Sequence, residues 1–239
     1  MKAFVTGLGW VTSAGMGRGR SGDRFAFGKG ELPILSRQRI FADPYPRFGR
    51  LDDFSRLGLA GIALALADGG FDHCHDKRNI GLFAATILGS MATDITYFDS
   101  LLPERGGLAS PNLFAYTLSS TFLGEAAIRF GLSGPGFVAN LTGKGELDPF
   151  VLGLEGIAFN DCESAVCGFC NTSVPSVDPS NGQPEGALFL VLERSGLAGG
   201  HSYGILCRQP DGQIFVDDVP VPDCQKMVEV LQSNLPEHK

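Results

Sequence analysis

The chain has 239 residues, of which 44% are hydrophobic and 19% charged, and its formal net charge is −7 at pH 7. This balance is typical of a globular protein, and the acidic net charge argues against nucleic acid as the main partner. No stretch approaches the roughly 20 apolar residues of a membrane span, and Thr6, Gly7 and Gly9 interrupt the N-terminal apolar run too early for a signal peptide. We therefore expect a cytoplasmic protein with no membrane span and no nucleic-acid partner.

The first part of the chain predicts a strand, an irregular segment, a helix and a second strand. Residues 2–7 form the first predicted strand, and a glycine- and arginine-rich segment with three prolines follows to about residue 50. A helix is predicted from Asp52 and Asp53 to the glycine pair at 69–70, because its apolar residues recur at helical spacing. The run "NIGLFAAT" then predicts a buried strand.

Further elements are predicted along the rest of the chain. They are a mostly helical segment over 110–132 that ends at Gly131, a buried strand over 136–141, an apolar helix over 147–159, a buried strand over 163–173, a hairpin-like pair of strands within 186–195 and 202–209, and a short helix within 223–235. The alternation of strands and helices predicts an α/β fold with one mostly parallel mixed sheet flanked by helices. With no evident boundary, residues 1–239 are predicted to be one domain, with 209–239 as a divergent tail.

The charge is unevenly distributed along the chain. Residues 1–56 contain ten of the 19 Lys and Arg residues and carry a net charge of +5, whereas the remainder carries −12. A basic surface that meets an acidic partner is one interpretation, and arginines on solvated loops are the simpler one.

Three short motifs predict chemistry only weakly. Gly7 and Gly9 follow a strand, but Thr12 stands where a dinucleotide-binding motif needs its third glycine. "CGFC" (167–170) has the spacing of a redox pair, yet it lies within an apolar strand, which favours core cysteines. "DHCHD" (72–76) contains two histidines and a cysteine but has no second cluster to complete a zinc site. No metal site and no cofactor are predicted.

The stretch "LTGKGELDPFVLGLEGIAF" (141–159) is the most informative one. A strand that breaks sharply into a helix can present a nucleophile, because the helix N-terminus stabilises negative charge. The bend at this place contains Thr142, Gly143 and Lys144, with neither Cys nor Ser. Lys144 at the start of a helix could bind an anion, and a solvated lysine is the simpler alternative.

Three segments, in the right order, resemble the β-ketoacyl-acyl-carrier-protein synthases of the thiolase-like superfamily. "FVTGLGWVTSAGMG" resembles their opening strand and glycine turn, "SPNLFAYTLSSTFLGEAAIRFGLSGPGFVANLTG" their approach to the active site, and "EGALFLVLERSGLAGGHSYGILC" the end of their N-terminal half. The resemblance covers about residues 2–208. It implies a thiolase-like half-fold.

The same resemblance implies that this chain alone does not catalyse condensation. The family's catalytic cysteine aligns with Gly143, which has no side chain to accept an acyl group. The family's catalytic histidines lie in a C-terminal half that this chain does not contain. Without that half, the apolar helix over 147–159 would be exposed unless the 209–239 tail or a partner covers it.

The resemblance also implies a partner. Family dimers join through the strand that here comprises Gly136, Phe137, Val138, Ala139 and Asn140. The family residue that approaches the partner's acyl pocket aligns with Leu113, beside Phe114. The chain is thus similar to a chain-length-factor-type subunit, a non-catalytic relative that pairs with an active ketosynthase in fatty-acid or polyketide-like biosynthesis, including aryl polyene assembly.

Two alternatives remain open from the sequence. One is a divergent acyltransferase or decarboxylase that uses Lys144 or Thr142. The other is a homodimer that binds an acyl ligand or an acyl carrier protein through the basic N-terminal third.

Overall fold

The computed structural model describes residues 1–73, 76–103, 106–107, 109–141, 145–174, 177, 185–195 and 202–235. The described helices are α1 (Arg37–Ile40), α2 (Asp53–Asp68), α3 (Met91–Leu101), α4 (Pro111–Ala115), α5 (Thr121–Phe130), α6 (Asp148–Ala158) and α7 (Cys224–Ser233). The described strands are β1 (Lys2–Thr12), β2 (Gly15–Arg18), β3 (Ile80–Thr86), β4 (Gly136–Asn140), β5 (Ser164–Asn171), β6 (Gly186–Glu193), β7 (Gly204–Arg208), β8 (Ile214–Val216) and β9 (Val219–Pro220). None of these helices is long and apolar enough to span a membrane.

The described strands form one mixed sheet in the order β4-β3-β5-β6-β1-β7-β8-β9, with β2 paired to the end of β1. Strands β4 and β5 both run parallel to β3. The remaining pairings between described strands are antiparallel.

Each face of the sheet supports its own hydrophobic cluster. On one face, α2 and α5 pack over β3 and β6 around Leu57, Phe122 and Phe189. On the other face, α6 and α7 pack over β1, β5 and β6 around Phe150 and Leu190. The molecule therefore consists of a sheet between two helical layers, as expected for an α/β fold.

Two glycines in β1 allow α2 to lie very close to the sheet. A Cβ at Gly7 would stand 3.0 Å from Gly69 N at the end of α2 and closer still to Ala65 O, and one at Gly9 would stand 2.6 Å from the backbone carbon of Leu64. These glycines are therefore explained by helix packing rather than by a dinucleotide site.

Helix α6 also depends on glycines for its contact with the sheet. A Cβ at Gly153 would stand 2.6 Å from Cys167 Sγ, and one at Gly156 would stand 2.6 Å from the ring of Phe83. The helix consequently buries its small and apolar side against β3 and β5, while Phe159 just beyond its end is 70% exposed.

The C-terminal helix α7 closes the same face. It begins with Asp223, whose carboxylate accepts a hydrogen bond from Lys226 N at 2.7 Å, a standard N-cap. Met227 and Leu231 are fully buried in the cluster that contains α6. The predicted tail helix is thus confirmed, and it packs in the same cluster as α6, as the sequence analysis allowed for the 209–239 tail.

The α/β class, the mixed sheet and the flanking helices are confirmed, but three details differ from the sequence predictions. The parallel pairings are confined to β4-β3-β5, so the sheet is not mostly parallel. Strands β6 and β7 are not a hairpin-like pair, because β1 lies between them. The segment over 136–141 is not buried, since β4 lies at the end of the sheet and Phe137 is 45% exposed.

Candidate functional site

The parallel strands β3, β4 and β5 end at the same edge of the sheet. Asn171 at the end of β5 accepts a hydrogen bond from Ile87 N at 2.9 Å, and its Oδ1 lies 3.4 Å from Thr86 Oγ1. The hydroxyl of Thr86 in turn accepts from Gly89 N at 3.0 Å. Carboxyl ends of parallel strands are where open α/β sheets bind ligands.

The pairing of β3 with β4 continues to Leu141. Leu141 N donates a hydrogen bond to Thr86 O at 2.8 Å. Thr142, Gly143 and Lys144 lie outside the described residues. The roles proposed for them, as a nucleophile site or an anion-binding site, therefore stay predictions.

The helix after the bend begins later than the sequence predicted, and it begins with an acid. Helix α6 starts at Asp148, with Leu147 as its N-cap residue and no side-chain cap. Asp148 thus adds negative charge in the first turn, where a helix dipole would otherwise stabilise an anion.

Leu113 lines an open cavity of about 640 Å³ next to the strand ends. The cavity lies between the segment before α1, the start of α2, helix α3 and the end of β5. Its apolar lining consists of Leu32, Pro33, Ile34, Leu35, Phe54, Leu57, Ala92 and Leu113, and its polar lining of Glu31, Asp52, Asp53, Arg56, Thr93, Thr96, Thr172, Ser173 and Glu185.

The neighbouring Phe114 does not line this cavity. Its side chain is 60% exposed, and its ring lies 5.5 Å from the ring of Tyr97 on α3. The two residues that the sequence assigned to an acyl pocket or a partner therefore differ: Leu113 lines a cavity, whereas Phe114 is on the surface.

The five predicted dimer residues form the outermost described strand of the sheet. β4 is paired only with β3 among the described strands, so the opposite edge of its backbone has no described strand beside it. The strand contains no charged residue and no proline.

A second, smaller cavity of about 330 Å³ is basic. It is lined by Arg47, Arg50, Leu51, Asn112 and Tyr116. Burial raises the pKa of the Tyr116 phenol, and the negative charge of nearby Glu125 raises it further. The cavity therefore presents two guanidinium groups and a neutral phenol.

Arg47 is held in place by a buried carboxylate. Its Nη2 lies 2.6 Å from Glu125 Oε1, and Tyr45 donates its hydroxyl hydrogen to the other oxygen of the same carboxylate. Burial and the Glu125 contact raise the pKa of Tyr45 well above its ordinary value. One guanidinium of the basic cavity is thus already paired.

The remaining motifs have structural roles or lie partly outside the described residues. Cys167 and Cys170 belong to the hydrophobic clusters on opposite faces of the sheet, and burial raises the pKa of both thiols well above the usual range. They are core residues. Cys74 and His75 are not described, while His73 lies 3.7 Å from both Asp43 and Asp72. Within the described part of the chain, no group of metal-ligating residues is found.

Sequence reasoning missed helix α3 and with it the wall of the larger cavity. The helix buries no residue completely and places Ala92, Thr93 and Thr96 against the cavity. The hydroxyl of Ser90 donates a hydrogen bond to Thr117 O at 2.7 Å, which fixes the start of the helix. A surface helix with three threonine or serine residues gives little periodic signal, so only the packing reveals its role.

Solved structures resemble this chain over most of its length. An ishigamide ketosynthase/chain length factor matches with a TM-score of 0.65 and 15% identity, over 86% of this chain and 62% of that chain. The type II polyketide synthase complex of the AntF acyl carrier protein with its ketosynthase AntDE matches with a TM-score of 0.67 and 18% identity, over 86% and 67%. The chain has the ketosynthase fold. The fold that the sequence resemblance implied is therefore confirmed.

A third structure is similar over a larger share of its own length. It is the ketosynthase ApeO in complex with its chain length factor ApeC from Xenorhabdus doucetiae, with a TM-score of 0.56 and 13% identity over 82% of this chain and 80% of the matched chain. The chain spans less than two thirds of the first of these structures. No protein-family model matches the sequence, and no curated protein matches it.

Proposed function

We propose that this chain is a non-catalytic, chain-length-factor-type subunit that pairs with an active ketosynthase in polyketide-like or fatty-acid biosynthesis. The observation that carries the proposal is β4, an uncharged strand at the open end of the described sheet. Solved structures with the same fold include a ketosynthase in complex with a chain length factor, which agrees with such pairing.

The two ends of the sheet differ in a way that supports pairing through β4. Natural proteins block exposed sheet edges with short strands, charges or proline, because an open edge recruits other strands. β9 at the far end has two residues, ends in Pro220 and follows Asp217 and Asp218. β4 has five residues and none of these features. A strand from a partner can therefore be added at β4 by backbone hydrogen bonding.

The backbone register identifies the groups that would bond to the partner. Leu141 N donates to Thr86 O in β3, and the N–H groups of successive residues in a strand point to opposite sides. The N–H groups of Val138 and Asn140 consequently point away from β3.

Two observations support a role without catalysis. Gly143 replaces the residue type that would accept an acyl group. The acidic residue in the first turn of α6 opposes the charge that such a nucleophile would develop.

The test is co-expression of the chain with the ketosynthase encoded nearest to its gene, followed by mass determination of the purified species. We expect a stable one-to-one complex. A well-behaved homodimer that ignores the ketosynthase would contradict the proposal.

A matched pair of variants tests the role of the edge itself. Val138→Pro removes an outward N–H, whereas Val138→Ala loses a similar amount of packing but keeps that N–H. We expect the proline variant to bind the ketosynthase at least about tenfold more weakly than the alanine variant. The lost interface hydrogen bond and the steric clash of the proline ring should together cost about 1.4 kcal/mol or more. Equal affinities would exclude β4 as the interface.

An acyl carrier protein is the second partner that a specific observation favours. Carrier proteins present an acidic surface, and the cavity lined by Arg47 and Arg50 is basic. We expect Arg50→Ala to reduce carrier binding and to weaken its salt dependence, whereas Arg39→Ala, an exposed arginine that does not line the cavity, will not.

A further inference from the structure

A polar cavity of about 520 Å³ lies at the amino ends of β3 and β5. It is lined by Asn79 just before β3, by the 160–164 segment that leads into β5, and by residues 193–195 at the end of β6. The larger cavity beside Leu113, by contrast, is lined by Thr172 and Ser173 beyond the carboxyl end of β5. The two cavities are therefore separate, and the volume of the polar one lies within the range of roughly 300–1,000 Å³ that ligand pockets occupy.

Arg194 holds one wall of the polar cavity in place. Its guanidinium donates to Asn160 Oδ1 and to Ile157 O, each at 2.5 Å, and its Nη2 lies 3.4 Å from Cys162 O. These three partners are neutral oxygens. Among the described residues, the charge of Arg194 is therefore not used to compensate a carboxylate.

Glu193 is a carboxylate of the lining that receives no compensating charge from Arg194. Glu193 is only 8% exposed, and its Oε2 has no hydrogen-bond partner among the described residues. It is paired directly with Ser164 of β5, so the two side chains lie on the same face of the sheet, and both residues line the cavity. Burial raises the pKa of Glu193, because the ionised carboxylate loses its water.

The lining indicates which class of ligand would fit. Glu163 adds a second carboxylate to that of Glu193, so an anionic ligand would be repelled at close range. A bare metal ion needs several ligating side chains, and the part of the chain that the structure describes contains no such group. A protonated amine needs less, since its N–H groups can donate to one carboxylate and to neighbouring neutral oxygens.

We propose that this cavity binds a small alkylammonium ion whose N–H groups donate to the carboxylate of Glu193. The hydroxyl of Ser164 and the amide oxygen of Asn79 are neutral acceptors in the same lining. The site lies apart from the interface through β4 and does not depend on pairing with a ketosynthase. Failure of either proposal therefore leaves the other standing.

The experiment measures the melting temperature of the 239-residue chain, followed by the fluorescence of Trp10, with increasing amounts of three additives. These are n-butylammonium chloride, 1-butanol and sodium chloride, compared at about pH 7.5, where an alkylamine is protonated. A ligand that binds the folded state raises the melting temperature with its concentration. We expect this rise with butylammonium chloride and not with 1-butanol or sodium chloride. Equal effects of butylammonium chloride and sodium chloride would overturn the proposal.

Two variants with the same net charge locate the binding. Glu193→Gln removes the buried negative charge and keeps the shape of the side chain, whereas Glu229→Gln removes an exposed carboxylate of α7 that does not line the cavity. We expect Glu193→Gln to bind butylammonium at least about tenfold more weakly than the unmodified chain, since a charge-assisted hydrogen bond is lost. Glu229→Gln should bind as the unmodified chain does. Equal affinities of the two variants would exclude Glu193 as the binding group.

Ser195→Lys provides a second test that leaves the buried residues unchanged. Ser195 is exposed and lines the cavity, so a lysine there introduces a tethered ammonium group that competes with the ligand. Ser195→Met is the control, because its side chain is also long and unbranched but uncharged. We expect Ser195→Lys to bind butylammonium at least about tenfold more weakly than Ser195→Met. If both variants bound it equally well, the location of the site would be wrong.

Discussion

Asp68 is the residue whose replacement should most clearly reveal how the N-terminal segment is held to the core. Its carboxylate is 1% exposed and accepts hydrogen bonds from Leu8 N at 2.9 Å, from Arg20 N at 2.8 Å and from the Tyr203 hydroxyl. Asp68→Asn keeps the shape but turns one acceptor oxygen into a donor. In the better of its two orientations, the amide loses one of the backbone bonds and weakens the others.

The expected cost follows from these bonds. A hydrogen bond to a charged group contributes about 1.5–3 kcal/mol, and an N–H left unpaired in the interior costs about 1–3 kcal/mol. We expect Asp68→Asn to lower the free energy of unfolding by about 3 kcal/mol. The control is Asp53→Asn, because the Asp53 side chain is 90% exposed and its ion pair with Arg56 is worth under about 1 kcal/mol.

The measurement is urea unfolding followed by the fluorescence of Trp10, the chain's single tryptophan, which is buried in β1. Tyr203→Phe provides a second test variant, because it removes one hydrogen bond to Asp68. Its cost should be about 1–2 kcal/mol in the unmodified chain and smaller when Asp68 is already Asn, because the two residues are coupled. If Asp68→Asn changed stability no more than Asp53→Asn does, the reasoning would be refuted.

Three further predictions concern other parts of the molecule. Burial raises the pKa of Glu193, so the folded protein favours the neutral carboxyl group and loses stability as pH rises through that pKa. At neutral pH, Glu193→Gln should therefore have a higher melting temperature than the unmodified chain. This difference in melting temperature should vanish below pH 4.5, the ordinary pKa of the side chain. A gap independent of pH would contradict this. Leu231→Ala removes a fully buried side chain from α7 and should lower the free energy of unfolding, measured in urea, by about 2–5 kcal/mol. A decrease below about 1 kcal/mol would mean that the packing of α7 against the sheet contributes little to stability. In a purified complex, Leu113→Trp should shorten the ketosynthase's products without changing the melting temperature, and unchanged product length would argue against a pocket role.

Some elements could be predicted from the sequence because local signals and tertiary packing agree on them. Helix α2 is an example, since its aspartate cap, its apolar spacing and its glycine end all lie within one window. The fold was predicted from three weak motifs that occur in the right order, and the structure confirms that prediction. The predicted tail helix also begins with an aspartate cap, at Asp223.

Other features depend on distant pairing, which a single sequence does not encode locally. The place of β1 between β6 and β7 joins segments almost the whole chain apart, so the apparent hairpin was wrong. The exposure of β4 could not be read from its apolar residues, because an edge strand and a central strand can have the same composition. The cavity beside Leu113 draws its walls from six separate segments, and no spacing pattern connects them.

The contrast between the two ends of the sheet also limits how large an assembly can grow. β4 and β9 are the two ends of the path that the described strands follow through the sheet, and the end at β9 is closed by a two-residue strand that ends in proline. When two open strand edges pair with each other, each satisfies the backbone groups of the other and neither edge is left open. If the proposed pairing takes place through β4, addition of one strand there leaves no open end on the path from β4 to β9, so the sheet would not continue to grow into a fibre.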